Sequence, residues 1–233
     1  MKQLTALVCA LILGAAITTA QSRLVNESFS VSGDQRIVLD LNFGDEINIE
    51  SWNKNEVSFK AVIKVNGGKL NDILEVEYNE SSSRLYIETD FDKKDFERGR
   101  RQDCPSKGSH SHWNSGNGSY ICSEIYYTIY VPEGADLKVE TISSDIELKG
   151  VFGDLYAKSI SGFVDLTWDE NHGADIKLKT VSGDAFTDLE TMSPKGGKSY
   201  SQVGIDLDAK INGGGKRLNL ETISGDIYLR KKN

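Results

Sequence analysis

Two cysteines, Cys104 and Cys122, stand 18 positions apart, with His110 and His112 between them in "GSHSHWN". Bonded to each other, the sulfurs close a loop and stabilise the fold by about 3 kcal/mol in the chain-entropy picture. Joined by both histidines, they form a Cys-His-His-Cys set for zinc, but without the compact paired spacings of zinc modules. A second candidate chemistry lies in Asp45, Asp145, Asp184 and Asp226, each following Gly or Ser in a recurring short motif. Stacked, these carboxylates would form a ladder able to attract calcium. That ion wants about six to eight closely spaced oxygens, whereas the motif offers one carboxylate per copy and carries Phe163 in one of them.

Catalytic signals are weaker. With 35 acidic residues, carboxylate pairs across strands arise by chance, and only three histidines are present. No Ser-His-Asp or Cys-His arrangement has a local signature. His172, in "DENHGAD", reads as a solvated turn residue. The expectation is a non-catalytic protein with no cofactor and no bound metal.

The first twenty residues, "MKQLTALVCALILGAAITTA", run from Lys2 through an apolar stretch to small residues. That order is a secretory signal peptide, cleaved before Gln21. The apolar run is short of the roughly 20 residues that span a bilayer, and no later stretch approaches that length. Cys9 leaves with the leader, since Val8 is not the small residue a lipoprotein signal wants. Export to the periplasm, envelope or medium favours the disulfide over the metal. Loss of Lys2 takes the formal charge from −8 to −9, which argues against nucleic acid as a partner.

Residues 21–233 read as one domain built on a repeat. The segments "LKVETISSDIELKG", "LYAKSISGFVDLTW", "IKLKTVSGDAFTDL" and "LNLETISGDIYLRK" align on Ser143, Ser161, Ser182 and Ser224, separated by 18, 21 and 42 positions. A degenerate copy, "SYSQVGIDLDAKI", falls in the widest gap. Each copy alternates: Leu137, Val139, Ile146 and Leu148 face one way, while Lys138, Glu140, Glu147 and Lys149 face the other. That period belongs to half-buried strands. Between them the Ser-Gly-Asp corner (Gly162, Gly183, Gly225) predicts a tight bend, with glycine at positive φ and Ser and Asp bonding local amides. Repetition at about 20 residues predicts an elongated all-β solenoid, a β-helix-like stack of short strands. The front half fits too, with Gly44-Asp45 between the strands of "IVLDLNFGDEINIESW". A polar stretch at 91–120 reads as a loop insertion, and 135–233 holds the clearest repeats.

The strand–SGD–strand copies, "NFGDEINIESWNKNEVSF" and the "VPEGADLKVETIS" junction together resemble the bacterial DUF4097 family of exported, adhesin-like β-repeat proteins. The resemblance covers most of residues 37–233, and the Cys104–Cys122 insertion departs from its simpler members. It implies a β-helix-like envelope protein with an adhesive role, and brings no catalytic residues.

The expected partner is a surface protein or a glycan. Tyr156, Phe186 and Tyr228 point outward, but the predicted column of Glu147, Asp165, Phe186, Asp206 and Tyr228 is mixed rather than an aromatic track. A monomer is expected, with Arg230-Lys231-Lys232 guarding the last strand as an open edge.

Overall fold

Alternating apolar and polar residues give strands because successive side chains project to opposite faces of a pleated backbone. The structure is a computed structural model describing residues 21–105, 111–115, 118–191 and 204–232; the expected leader lies outside them. The front half forms β1 (Arg23–Ser30), β2 (Arg36–Leu41), β3 (Glu46–Trp52), β4 (Glu56–Val65), β5 (Leu74–Ser81) and β6 (Arg84–Phe91). Next come β7 (Ser111–Ser115) and β8 (Ser119–Pro132), then the repeat strands β9 (Leu137–Thr141), β10 (Asp145–Lys149), β11 (Leu155–Ser159) and β12 (Val164–Trp168). The last are β13 (Ala174–Ser182), β14 (Ala185–Thr187), β15 (Ile205–Ile211), β16 (Lys216–Ser224) and β17 (Ile227–Lys231).

These strands make two mixed sheets. One has nine strands, ordered β1-β4-β8-β3-β10-β12-β17-β14 with β7 paired to β8; the other has eight, ordered β15-β13-β16-β11-β9-β2-β6-β5. The apolar residues of both inner faces merge in one core, in which Leu137, Val139, Ile146 and Leu148 are fully buried. The largest buried side chains are Trp168, Tyr127 and Phe59.

Each repeat copy crosses from the eight-stranded to the nine-stranded sheet, and like residues stack as expected. Leu137 pairs with Leu155 and Leu155 with Leu218, while Ile146 pairs with Val164 and Val164 with Ile227, all in parallel register. The solenoid itself does not form: the architecture is all-β but sandwich-like. In a solenoid successive copies are successive neighbours, whereas here the 216–231 copy lies between those at 155–168 and 174–187. Antiparallel strands complete both sheets, with β1, β4 and β8 in one and β5–β6 and β13–β15 in the other.

The displaced copy has a local cause. The segment expected as a degenerate repeat is instead β15, an antiparallel edge strand against β13; its first residues, 199–203, lie outside the described ones. After β15, Asn212, Gly213 and Gly214 take positive φ of 43°, 82° and 95°. This left-handed turn hooks over Gly173, whose Cβ would lie 2.1 Å from Gly214 O. Lys216 N donates to Gly173 O and Asn212 Nδ2 to Asn171 O. The chain thereby passes from one side of β13 to the other, and β16 runs parallel to it.

Within the polar stretch at 91–120 the described residues carry 3₁₀ turns at Lys93–Arg98 and Arg101–Asp103, and β7. One further expectation is corrected. Arg230-Lys231-Lys232 guards no edge, because β17 lies between β12 and β14. Arg230 Nε instead reaches Asp165 Oδ2 at 2.7 Å and Lys231 Nζ reaches Glu170 at 2.7 Å.

Candidate binding surface

The corner between the sheets repeats five chemical positions. The first is a buried hydroxyl: Thr141, Ser159, Thr180 or Thr222. Thr222 and Thr180 both donate to Gly225 O, at 2.6 and 3.1 Å, and Ser159 donates to Ser144 O at 2.8 Å. These bonds satisfy carbonyls that the bend removes from the ladders. Sequence reasoning missed them, although a Thr or Ser at the same place in every copy was a visible signal.

The second position is an exposed β-branched aliphatic. Ile142, Ile160, Ile223 and Val181 keep 39%, 37%, 41% and 45% of their surface exposed. They directly follow Thr141, Ser159, Thr222 and Thr180, which parallel register sets side by side in that order. At a strand spacing of about 4.8 Å they form one ridge. Neighbouring outward positions vary freely, as in Glu140, Lys158, Glu221 and Lys179. A solvent-facing position that stays apolar in all four copies is a candidate contact surface.

The third position holds Ser143, Ser161, Ser182 and Ser224. None of the four hydroxyls bonds a backbone amide among the described residues, so they do not fold onto the turn as expected. At the fourth position Gly162, Gly183 and Gly225 are glycine for a reason other than the expected one. None of them lies at positive φ. A Cβ at Gly162 would lie 2.3 Å from Ser144 O, at Gly225 2.2 Å from Gly162 O, and at Gly183 2.1 Å from Gly225 O. Glycine here permits backbone contact between copies. Gly44 is similar, since its Cβ would lie 2.8 Å from Ser144 Oγ and from the Tyr127 ring.

The fifth position holds the aspartates, and three of them, Asp45, Asp145 and Asp226, bond across to a neighbouring backbone amide. Asp145 Oδ1 accepts from Phe163 N at 3.0 Å, Asp226 Oδ1 from Asp184 N at 2.9 Å, and Asp45 Oδ2 from Ile125 N at 2.7 Å. The row thus stitches the stack, with Phe163 interrupting it. Burial raises the Asp145 pKa, with Glu46 and Glu147 adding to the rise against the lowering by the Phe163 amide.

Beyond the corner, the outward face of the nine-stranded sheet differs from the predicted column. Its order is Glu147, Asp165, Tyr228, Phe186. Asp206 belongs instead to β15 in the other sheet, opposite Lys179. Phe186 and Tyr228 therefore become neighbours and stack, with centroids 5.3 Å apart and planes at 13°. Phe163 meets Tyr228 edge-on at 6.0 Å, and Arg230 lies 4.8 Å from the Tyr228 ring. Tyr228 OH donates to Asp226 Oδ2 at 3.1 Å, and that bond raises its pKa. Tyr156 sits apart, in the eight-stranded sheet, donating to Glu221 at 3.2 Å.

Cys104 and Cys122 form the expected disulfide, with Cα atoms 6.0 Å apart, which removes both sulfurs from the alternative zinc set. His110 and the His112 side chain lie outside the described residues. The bridge ties the 3₁₀ turns to β8, where buried Asn66 accepts from Cys122 N at 3.0 Å and donates to Tyr120 O at 2.9 Å. His172 is not simply solvated: its ring stacks on Phe152 at 4.6 Å and faces Asp169 at 3.7 Å. One acidic grouping on the eight-stranded sheet sets Asp40 between Glu88 and Glu140 on adjacent strands. Burial and these two neighbours raise the Asp40 pKa. Among the described residues, no three His, Cys, Asp or Glu side chains converge to hold a metal ion, and no helix is long and apolar enough to cross a membrane.

No protein-family model matches the sequence, and no curated protein matches it. Among solved structures, a "putative cell adhesion protein" from Clostridium sporogenes ATCC 15579 is similar at 15% identity and a TM-score of 0.54, with 91% of this chain and 100% of that one covered. A "putative adhesin" from Bacteroides fragilis NCTC 9343 aligns at 11% identity and a TM-score of 0.37, with 91% and 99% covered. The first of these establishes a shared fold.

Proposed function

We propose that this chain is an exported, non-catalytic envelope or cell-surface protein with an adhesin-like binding or scaffold role, of the kind its resemblance to DUF4097 proteins implies. The observation that carries this reading is the exposed ridge of Ile142, Ile160, Ile223 and Val181, kept apolar in every copy. The Cys104–Cys122 bridge supports an oxidising location. The fold shared with the clostridial structure is consistent with the role.

The test compares the purified protein with an Ile160→Ser/Ile223→Ser variant in a whole-cell binding assay. Binding by the parent and loss of most of it in the variant is expected. Equal binding by both would remove the ridge from the function.

A second reading, an extracellular glycan-binding module, is favoured by the stacked Phe186 and Tyr228 rings on the open face.

A further inference from the structure

We infer that Phe186 is the floor of a subsite for a neutral hexopyranose ring, at the β14 edge of the nine-stranded sheet. The inference rests on the glycan-binding reading and names its ligand class and residues.

Phe186 keeps 49% of its surface exposed. One ring face is occupied by Tyr228; the other has no ring partner among the described residues. β14 is three residues long and pairs only with β17, so this second face looks out over the edge of the sheet. The platform is held rigid from behind. Tyr228 is fixed by its bond to Asp226, by Phe163 and by Arg230, which is itself bound to Asp165. A preorganised ring loses little freedom when a ligand settles on it.

Polar groups with spare capacity stand beside the ring. Asp184, two residues before Phe186 and on the same side of the strand, is exposed. Its amide is used by Asp226, but its carboxylate accepts no hydrogen bond among the described residues. Ser182, at the end of β13, is an exposed residue as well. An aromatic face beside a free carboxylate matches a pyranose. The sugar's axial C–H bonds form an apolar face that rests on the ring, while adjacent hydroxyls donate to the carboxylate. Charge narrows the class further. Asp165 is paired with Arg230, which leaves Asp184 and Asp226 as the acidic groups nearest the rings, and the protein is acidic overall at −8, so uronic acids and sulfated sugars are disfavoured.

The experiment titrates the purified, oxidised protein with cellohexaose, mannohexaose, chitohexaose and hexagalacturonate, following aromatic ring resonances by NMR. At least one neutral hexasaccharide is expected to shift Phe186 and Tyr228, and hexagalacturonate to shift neither. Phe186→Ala is expected to weaken binding at least about tenfold, Phe186→Trp to retain it, and Asp184→Asn to weaken it several-fold. Phe186 lies outside the core, and an unchanged melting temperature confirms that its variants stay folded. Binding that survives Phe186→Ala and Asp184→Asn would overturn the subsite while leaving the glycan reading standing. Shifts with none of the neutral sugars would overturn both.

Discussion

Gly183 and Gly225 meet across the corner so closely that a Cβ on Gly183 would lie 2.1 Å from Gly225 O. The same contact recurs between Gly225 and Gly162, so the copies touch through bare backbone. Gly225→Ala and Gly183→Ala should each cost about 1–3 kcal/mol as overpacking. Gly33→Ala is the control: its Cβ meets nothing within 4 Å and its φ is not positive. It should be neutral or slightly stabilising. Urea denaturation midpoints check this, and three equal shifts would contradict it.

The disulfide should contribute about 3 kcal/mol, as expected for a loop of this size. A Cys104→Ser/Cys122→Ser protein should lose that amount in denaturant titrations yet keep its strand signal in circular dichroism. Protein lacking residues 1–20 should show no reactive thiol before reduction; two would refute the bridge.

Asp40 sets a pH dependence of definite sign. Its folded pKa lies above the ordinary 3.8, first through burial and then through Glu88 and Glu140. Between the two values the folded state holds more protons than the unfolded one, so this group's contribution to stability falls as pH rises. Asp40→Asn should therefore raise the melting temperature at pH 7. The gain should shrink as pH falls from the raised folded value toward 3.8 and vanish below it, where Asp40 is protonated in both states. A constant gain at every pH would assign the effect to packing instead.

Replacing Arg230, Lys231 and Lys232 by Ser should leave elution in sizing chromatography unchanged, because β17 is an interior strand. The cost should be small and limited to the pairs with Asp165 and Glu170, which solvent screens at such exposed sites. New oligomers would show that these charges shield a contact surface after all.

The alternation of Leu137, Val139, Ile146 and Leu148 was enough to place the strands, their buried faces and the in-register stacking of copies, because those follow from local period. The order of the copies was not legible. It depends on Asn212, Gly213 and Gly214 carrying the chain around Gly173, a contact between segments that no local pattern encodes. The adjacency of Phe186 and Tyr228 was hidden for the same reason: they are neighbours only because β17 enters beside β14. At the corner glycines φ freedom and close approach leave the same letter in the sequence, and the backbone contacts of Gly162, Gly183 and Gly225 identify close approach as the reason. The disulfide was legible because two isolated cysteines behind an expected export signal leave few alternatives.

Placing β16 and β17 inside the stack has a consequence for how the molecule is made. Until residues 216–231 emerge, β14 has no partner, and β11 and β13 each wait with an open side. Growth from one end, coil upon coil, is therefore closed to this protein: β16 and β17 enter between strands that precede them in the chain. A ribosome or export channel that stalled before them would release two half-sheets with sticky edges, and the interval before their arrival is when the molecule is most exposed to proteases and to its own copies.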